Sequence, residues 1–451
     1  MTMHKNLLAS IFLGTFNSEL FWKDSALSSL PSCKDRHADL IVDAMDELQF
    51  VFCSKPDDLV VTRFPMNSAH KIYLESLGFN FLNNVFQLQD NEYTFDRSVC
   101  ELLLENSKTE YFNKLFLPKK NFSPYSILPF STALCSKYAI NTLFPDCEIV
   151  KKVNSKFFSH ELSKELYEDT AGKIINSAGE LYISGCEFLQ RSPFLIKDAL
   201  GVSGNGNILI NSESILINIV KYLTKQERKG KESKFLIEPL LNKERDFSCQ
   251  FEINNEGIVK IISVQEMLNN GFVFSGIRTA GTSLLSCLEN SKYFDYVEKV
   301  GKALYKEGYF GYVCLDSMML DNKKIIPIIE INARKSMGLI NYYIDQFLSR
   351  YSLYGNFISF ALSIPWHLQY EDILNMMDQY NILFCEKRLN GIMPLCANTL
   401  YVNRKPSEKI KSERHKGRFY ASIVANNQME CGLLLNQLKK LFFDMNIKML
   451  S

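Results

Sequence analysis

Apolar and polar positions along this chain alternate at two periods, one fitting strands and one fitting helices. Residues 7–13, 48–53 and 59–61 are short buried-type runs that read as strands, and the segments between them carry helical spacing, the pattern of an α/β unit. The polar, proline-bounded stretch 118–124 predicts a linker after this unit. Further on, Ser155 is placed to cap a helix with Lys156 in its first turn. Strands are expected over 194–197 and 234–241, with a helix from about 212 to 223 between them. Residues 247–251 and 258–264 read as an antiparallel pair joined by Asn254, Asn255, Glu256 and Gly257. Residues 276–281, with two glycines around Arg278, predict a flexible basic loop. Phe294, Val297, Val300 and Leu304 define a helix ended by Gly308, and 308–316 and 328–334 read as strands of a hairpin turning over 320–323. An amphipathic helix is expected around Leu434, Leu438, Leu441 and Phe442.

A chain of 451 residues exceeds one simple core and suggests two to four units. Patterning sets off residues 1–125, and a family resemblance divides the rest into 126–345, with a lobe of about 170–242, and 346–451. Composition is that of a soluble globular protein, 46% hydrophobic and 22% charged. With 51 Lys plus Arg against 50 Asp plus Glu the net charge is +1, which points to neither nucleic acid nor a membrane as partner. The 12 cysteines are scattered without metal-ligand spacing, so reduced thiols are expected. The apolar start, 7–14, is too short for a bilayer and lacks a cleavage pattern; it reads as the first strand of a cytoplasmic protein.

Candidate chemistry gathers on the predicted hairpin. Glu330, Asn332 and Arg334 alternate along one strand and so face one side, forming an oxygen-rich ledge with a cation at its end. Asp316 ends the neighbouring strand. Carboxylate and amide oxygens are hard ligands that suit Mg²⁺ held jointly with phosphates; an ordinary hairpin with a satisfied polar end is the competing reading. Lys156 is poorly placed at a helix start on dipole grounds, which implies an anion nearby or simple solvation. Lys197 ends a strand that leads into Gly201, Ser203, Gly204, Asn205 and Gly206, a loop able to aim backbone N–H groups at a phosphate, or a plain hairpin turn. It is no Walker A loop, and Asn205 breaks the nucleophile-elbow pattern of a serine hydrolase. Pro239 removes a ladder donor beside Glu238, which leaves backbone groups for a flat base, and Asp246 follows where it could hold ribose hydroxyls; a purely structural role for each is the competing reading.

In this order and spacing the features resemble the ATP-grasp superfamily over roughly residues 150 to 340. The resemblance implies an α+β ATP-grasp fold whose two lobes clasp ATP after an N-terminal α/β pre-ATP-grasp domain, with 346–451 as a C-terminal extension. It assigns Lys156, Lys197, the loop Gly201 to Gly206, Glu238 and Asp246 to the nucleotide. Asp316, Glu330 and Asn332 are assigned to Mg²⁺ or Mn²⁺, and Arg334 and Arg278 to catalysis. Glu244 rivals Asp246, and Cys314 stands where some members carry a basic group, a role passed to Arg278. The segments 14–19 and 44–48 are similar to the pre-ATP-grasp subgroup of natural-product ligases, which includes the pheganomycin-type peptide ligase and the butirosin-pathway glutamate–acyl-carrier-protein ligase. The implied activity is conversion of a carboxylate, of an amino acid or peptide, to an acyl phosphate that an amine attacks. A carrier-protein thiol as acceptor, and an ATP-binding regulatory protein without chemistry, remain as alternatives.

Overall fold

A computed structural model describes residues 8–32, 35–88, 97–106, 108–117, 121–167, 172–201, 206–270, 273–404 and 413–450. Its architecture is three sheets. The first is parallel, in the order β3-β2-β1-β4, from β1 (Ser10–Phe12), β2 (Leu59–Val60), β3 (Leu82–Asn83) and β4 (Asn121–Phe122). Ile11 and Leu59 face one core while Phe12 and Val60 face another, so both sides are covered and the strands read as unbroken apolar runs.

Two expectations for this region need correction. Residues 48–53 are no strand: Ala44–Phe52 is a 3₁₀ helix, buried throughout. Its polar start decides the outcome, because Asp46 Oδ2 accepts the Arg63 N–H at 2.5 Å and Glu47 Oε2 accepts Ala397 N and Asn398 N at 2.8 Å. An apolar run buried on all sides carries no period with which to tell helix from strand. Nor does the linker read from 118–124 stay free of structure, since Asn121 and Phe122 form β4 against β1; residues 118–120 lie outside the described residues.

The second sheet, antiparallel in the order β5-β8-β6-β7, holds β5 (Lys173–Ile175), β6 (Phe194–Lys197), β7 (Asn207–Ile210) and β8 (Phe235–Pro239). Helices Ala178–Leu189 and Glu213–Glu227 close its core through Leu181, Leu216 and Leu223. Part of the N-terminal region reaches over to this lobe: Glu232 N donates to Ala26 O, Ser28 N to Glu232 O and Leu30 N to Asp198 Oδ1.

The third sheet has nine antiparallel strands. These are β9 (Lys243–Ile253), β10 (Val259–Asn270), β11 (Val273–Thr279), β12 (Gly311–Leu320), β13 (Ile325–Asn332), β14 (Gly355–Pro365), β15 (Gly391–Pro394), β16 (Arg414–Val424) and β17 (Lys448–Met449). Their order is β13-β12-β9-β10-β11-β14-β16-β15, with β17 beside β14, so strands from 346–451 continue the sheet that carries the predicted ledge. The flexible loop expected at 276–281 is mostly strand β11. Gly276 is required there by close approach rather than freedom, since a Cβ on it would lie 2.4 Å from the Phe357 carbonyl oxygen of β14. Helix Met337–Leu348 follows the ledge and buries Leu339, Ile340 and Ile344 against the N-terminal unit. Among the described residues no helix is long and apolar enough to cross a membrane, and the described cysteines are free.

Candidate functional site

The hairpin β12–β13 forms as read, and its register sets Asp316 opposite Glu330 and Cys314 opposite Asn332. Asn332 Nδ2 donates to Asp316 Oδ2 at 2.9 Å, and the Cys314 thiol to Asp316 Oδ1 at 3.4 Å. Burial, and then the facing Glu330, push the Asp316 carboxyl up to about 7. Two facing carboxylates, the first reluctant to ionise, are a donor set that a divalent ion would fit. The set is small. Among the described residues no three His, Cys, Asp or Glu side chains gather as a metal site, so two carboxylates and one amide oxygen would hold Mg²⁺ only together with phosphate and water oxygens, its usual manner of binding. The Asn332 oxygen already accepts from Arg334 Nη2 at 3.0 Å, leaving it one lone pair for a metal.

Lys156 opens helix Lys156–Tyr167, and its Nζ lies 2.6 Å from Glu330 Oε1 and 3.2 Å from the Gly201 carbonyl oxygen. Its own N–H donates to Ala199 O. The unfavourable helix position thus has its anion, and one lysine joins the ledge to the start of the glycine loop. Lys197, at the end of β6, is ion-paired with Glu238 of β8. The loop itself is a β6–β7 hairpin: Lys197 pairs with Asn207, Asp198 N donates to Gly206 O at 2.8 Å, and Gly206 takes φ +88°, where glycine is favoured. Ser203, Gly204 and Asn205 lie outside the described residues.

Asp246 sits on β9 beside Met318 of β12 and pairs with Lys243. Its rival Glu244 is held by Lys323 of the β12–β13 turn at 2.5 Å. Arg278 is not brought to the ledge. It donates to Glu266 at 2.8 Å, and β10 and β9 stand between its strand and β12, roughly 14 Å at the usual strand spacing. Among the described residues, Lys156 and Arg334 are the cations whose charge bears on Asp316 and Glu330.

Arg334 has a partner that spacing along the chain did not reveal. Its Nε and Nη2 donate to Glu19 Oε1 of the N-terminal unit at 3.0 and 2.7 Å, and both side chains are almost fully buried, 10% and 6% exposed. The guanidinium also lies over the Tyr125 ring, 5.7 Å from its centre. Lys335 follows, with Nζ on Ser123 Oγ at 2.9 Å and near the rings of Phe12 and Phe52. Burial pulls its ammonium down to about 7. Beside these residues opens a cavity of about 360 Å³, with Phe122, Ser126, Phe144, Glu252, Tyr312 and Arg334 in its wall. Nothing in the spacing of segment 14–19 signals that its carboxylate serves a distant cation.

No family model matches the chain. It is similar to the [butirosin acyl-carrier protein]–L-glutamate ligase of Niallia circulans, 22% identical over 322 residues that span 69% of each protein. Among solved structures it superposes on N5-carboxyaminoimidazole synthetase from Staphylococcus aureus complexed with ADP, at TM-score 0.52 and 14% identity over 97% of this chain and 98% of that one. Biotin carboxylase from Campylobacter jejuni, complexed with β-γ-ATP, gives TM-score 0.52 and 11% identity over 98% and 92%. The biotin carboxylase domain of 2-oxoglutarate carboxylase from Hydrogenobacter thermophilus, complexed with MgADP, ADP and bicarbonate, gives 0.51 and 12% over 99% and 92%.

Proposed function

We propose that this chain, an ATP-grasp protein, is an ADP-forming ligase that activates the carboxylate of an amino acid or peptide as an acyl phosphate and passes the acyl group to an amine. The single observation that carries the reading is Lys156, whose ammonium touches both Glu330 and the Gly201 carbonyl and so joins the acidic ledge to the glycine loop.

In this reading ATP lies between the second and third sheets. Glu238 and the end of β8 face the base, Asp246 the ribose, and Lys156 and Lys197 the phosphates, each lysine exchanging a carboxylate partner for a phosphate oxygen. Asp316, Glu330 and Asn332 would hold Mg²⁺, which when bound neutralises phosphate charge as a Lewis acid. Gly201 and Gly206, the described ends of the glycine loop, lie toward the phosphates in this reading. Arg334, held rigid by Glu19, stabilises the carboxylate and the oxyanion that forms when the acceptor attacks. The Niallia circulans ligase, by its name, acts on an acyl-carrier protein, which supports a second reading with a carrier thiol as acceptor.

The test is ADP release from MgATP with a panel of amino acids and peptides, with added amines, and then with a phosphopantetheine-bearing carrier protein. Release that needs a carboxylate and an amine is the expected result. Release that needs the carrier selects the thiol reading. MgATP binding with no release under any combination refutes both.

A further inference from the structure

The cavity beside Arg334 has a wall whose charges are unevenly served. Arg334, Lys335 and Glu252 are the charged side chains that line it. Arg334 is matched by Glu19, and Lys335 Nζ is held by the carbonyl and hydroxyl oxygens of Ser123 at 2.8 and 2.9 Å. Glu252, near the end of β9, has no hydrogen bond or ion pair among the described residues. Lys260, opposite it on β10 and exposed, acts on it by charge alone, and burial raises its carboxyl. A half-buried carboxylate without a donor costs free energy, which a cation entering the cavity would offset.

The rest of the wall suits an organic cation better than a metal ion. Phe122, Phe144, Tyr309, Phe310 and Tyr312 line it, and the rings of Phe122 and Phe144 stand 5.8 Å apart. Aromatic faces attract ammonium and guanidinium groups and give a metal ion no oxygen to bind. The Tyr309 hydroxyl already donates to Tyr312 O at 2.6 Å. Both Arg334 and Glu252 act on that same phenol, so the two charges stand within reach of one ring. β12 alone separates β9 from β13, so the lines of backbone that lead to Glu252 and Arg334 run about 10 Å apart at the usual strand spacing. A molecule with its carboxylate at Arg334 and a cation at Glu252 therefore carries the two several bonds apart. An α-ammonium, next to its own carboxylate, is too short to serve.

We infer that Glu252 is a specificity-determining residue, and that the cavity takes an ammonium or guanidinium group at the far end of the acid whose carboxylate Arg334 holds. This rests on the ligase reading above and narrows its substrate to basic acids: an ω-amino or ω-guanidino acid, or a peptide that ends in such a side chain. Glu252 faces Tyr312, four residues before Asp316 and so about 13 Å from it along β12. At that distance it selects the substrate and takes no part in the transfer, so its effect belongs in KM rather than kcat.

The experiment pairs each basic acid with a neutral one of similar shape: lysine with norleucine, arginine with citrulline, ε-aminocaproate with caproate, and short peptides ending in either member. ADP formation is followed with MgATP and with hydroxylamine as the acceptor, and the thermal shift of the full chain is read beside it. In at least one pair the basic member should have a kcat/KM about 10-fold or more above the neutral one, through KM. Glu252→Gln, nearly the same shape, should bring that ratio to within about twofold of one, and Lys260→Gln should leave it at about 10-fold or more. Neutral acids that work as well as basic ones, a preference that survives Glu252→Gln, or an equal loss in Glu252→Gln and Lys260→Gln each overturn the cation site while leaving the ligase standing. If no acid gives ADP, the ligase reading fails and the thermal shift decides. A shift with basic acids that Glu252→Gln removes upholds the site, and no shift, or one that outlasts the substitution, overturns it.

Discussion

Two ion pairs flank Asn332, and they differ in what they can give up. Lys156–Glu330 joins neighbouring elements, and Glu330 keeps 24% of its side chain exposed. Arg334–Glu19 joins residues 315 apart in the chain, and neither side chain is more than 10% exposed. A pair with one exposed partner can trade that partner for a phosphate or a cation at little cost. A pair buried on both sides cannot, because removing either member strands a charge. In the proposed ligase the ledge would have one end that exchanges and one that holds still, as binding and releasing a polyanion beside a fixed acid requires.

The largest effect should come at the exchanging end. Glu330→Gln keeps the shape and removes the charge that faces Asp316; ATP turnover should fall about 10³-fold or more with the far-UV dichroism and melting profile of a folded protein. Normal turnover by that variant would remove Glu330 from the metal site. Next, stability should separate the two pairs. Arg334→Met leaves Glu19 buried alone and should cost about 3 kcal/mol in urea denaturation, whereas Lys156→Met leaves a part-solvated Glu330 and should cost about 1 kcal/mol or less. Equal costs would erase the contrast. The smallest effect concerns a third buried acid, Glu47, which has backbone N–H donors and no cation. Burial raises it from 4.5 to about 7. Between those values the folded chain keeps a proton that the unfolded chain has released, so stability should fall as pH rises through that window. Asp46 beside it is raised as well, by burial, so Glu47→Gln should make the decline in denaturation midpoint shallower without abolishing it.

Much of the site was legible because it is written in local terms. Alternation on β13 puts Glu330 and Asn332 on one face whatever the rest of the chain does, and a strand ending in Lys197 before three glycines leads into a tight turn, whether phosphate loop or plain hairpin. Three kinds of feature were not legible. Residues 44–52 are buried on every side and so carry no period. The glycines around 276–281 suggest freedom until β14 is seen pressed against one of them. Glu19 could not be matched to Arg334, because a salt bridge across so long a separation is a fact of tertiary packing that neither residue announces. The comparisons do not supply it either, since likeness at 14% identity shows a fold and not a residue's partner.

The peptide that runs from Glu19 to Leu30 is bolted at both ends. Glu19 is fixed to the guanidinium beside the acidic ledge, and Leu30 hangs on the carboxylate of Asp198, where the glycine hairpin begins. A movement of the lobe that carries β5–β8 away from the third sheet would pull on this tether or break its bonds to Glu232 and Asp198, so residues 19–30 limit how far the two can separate.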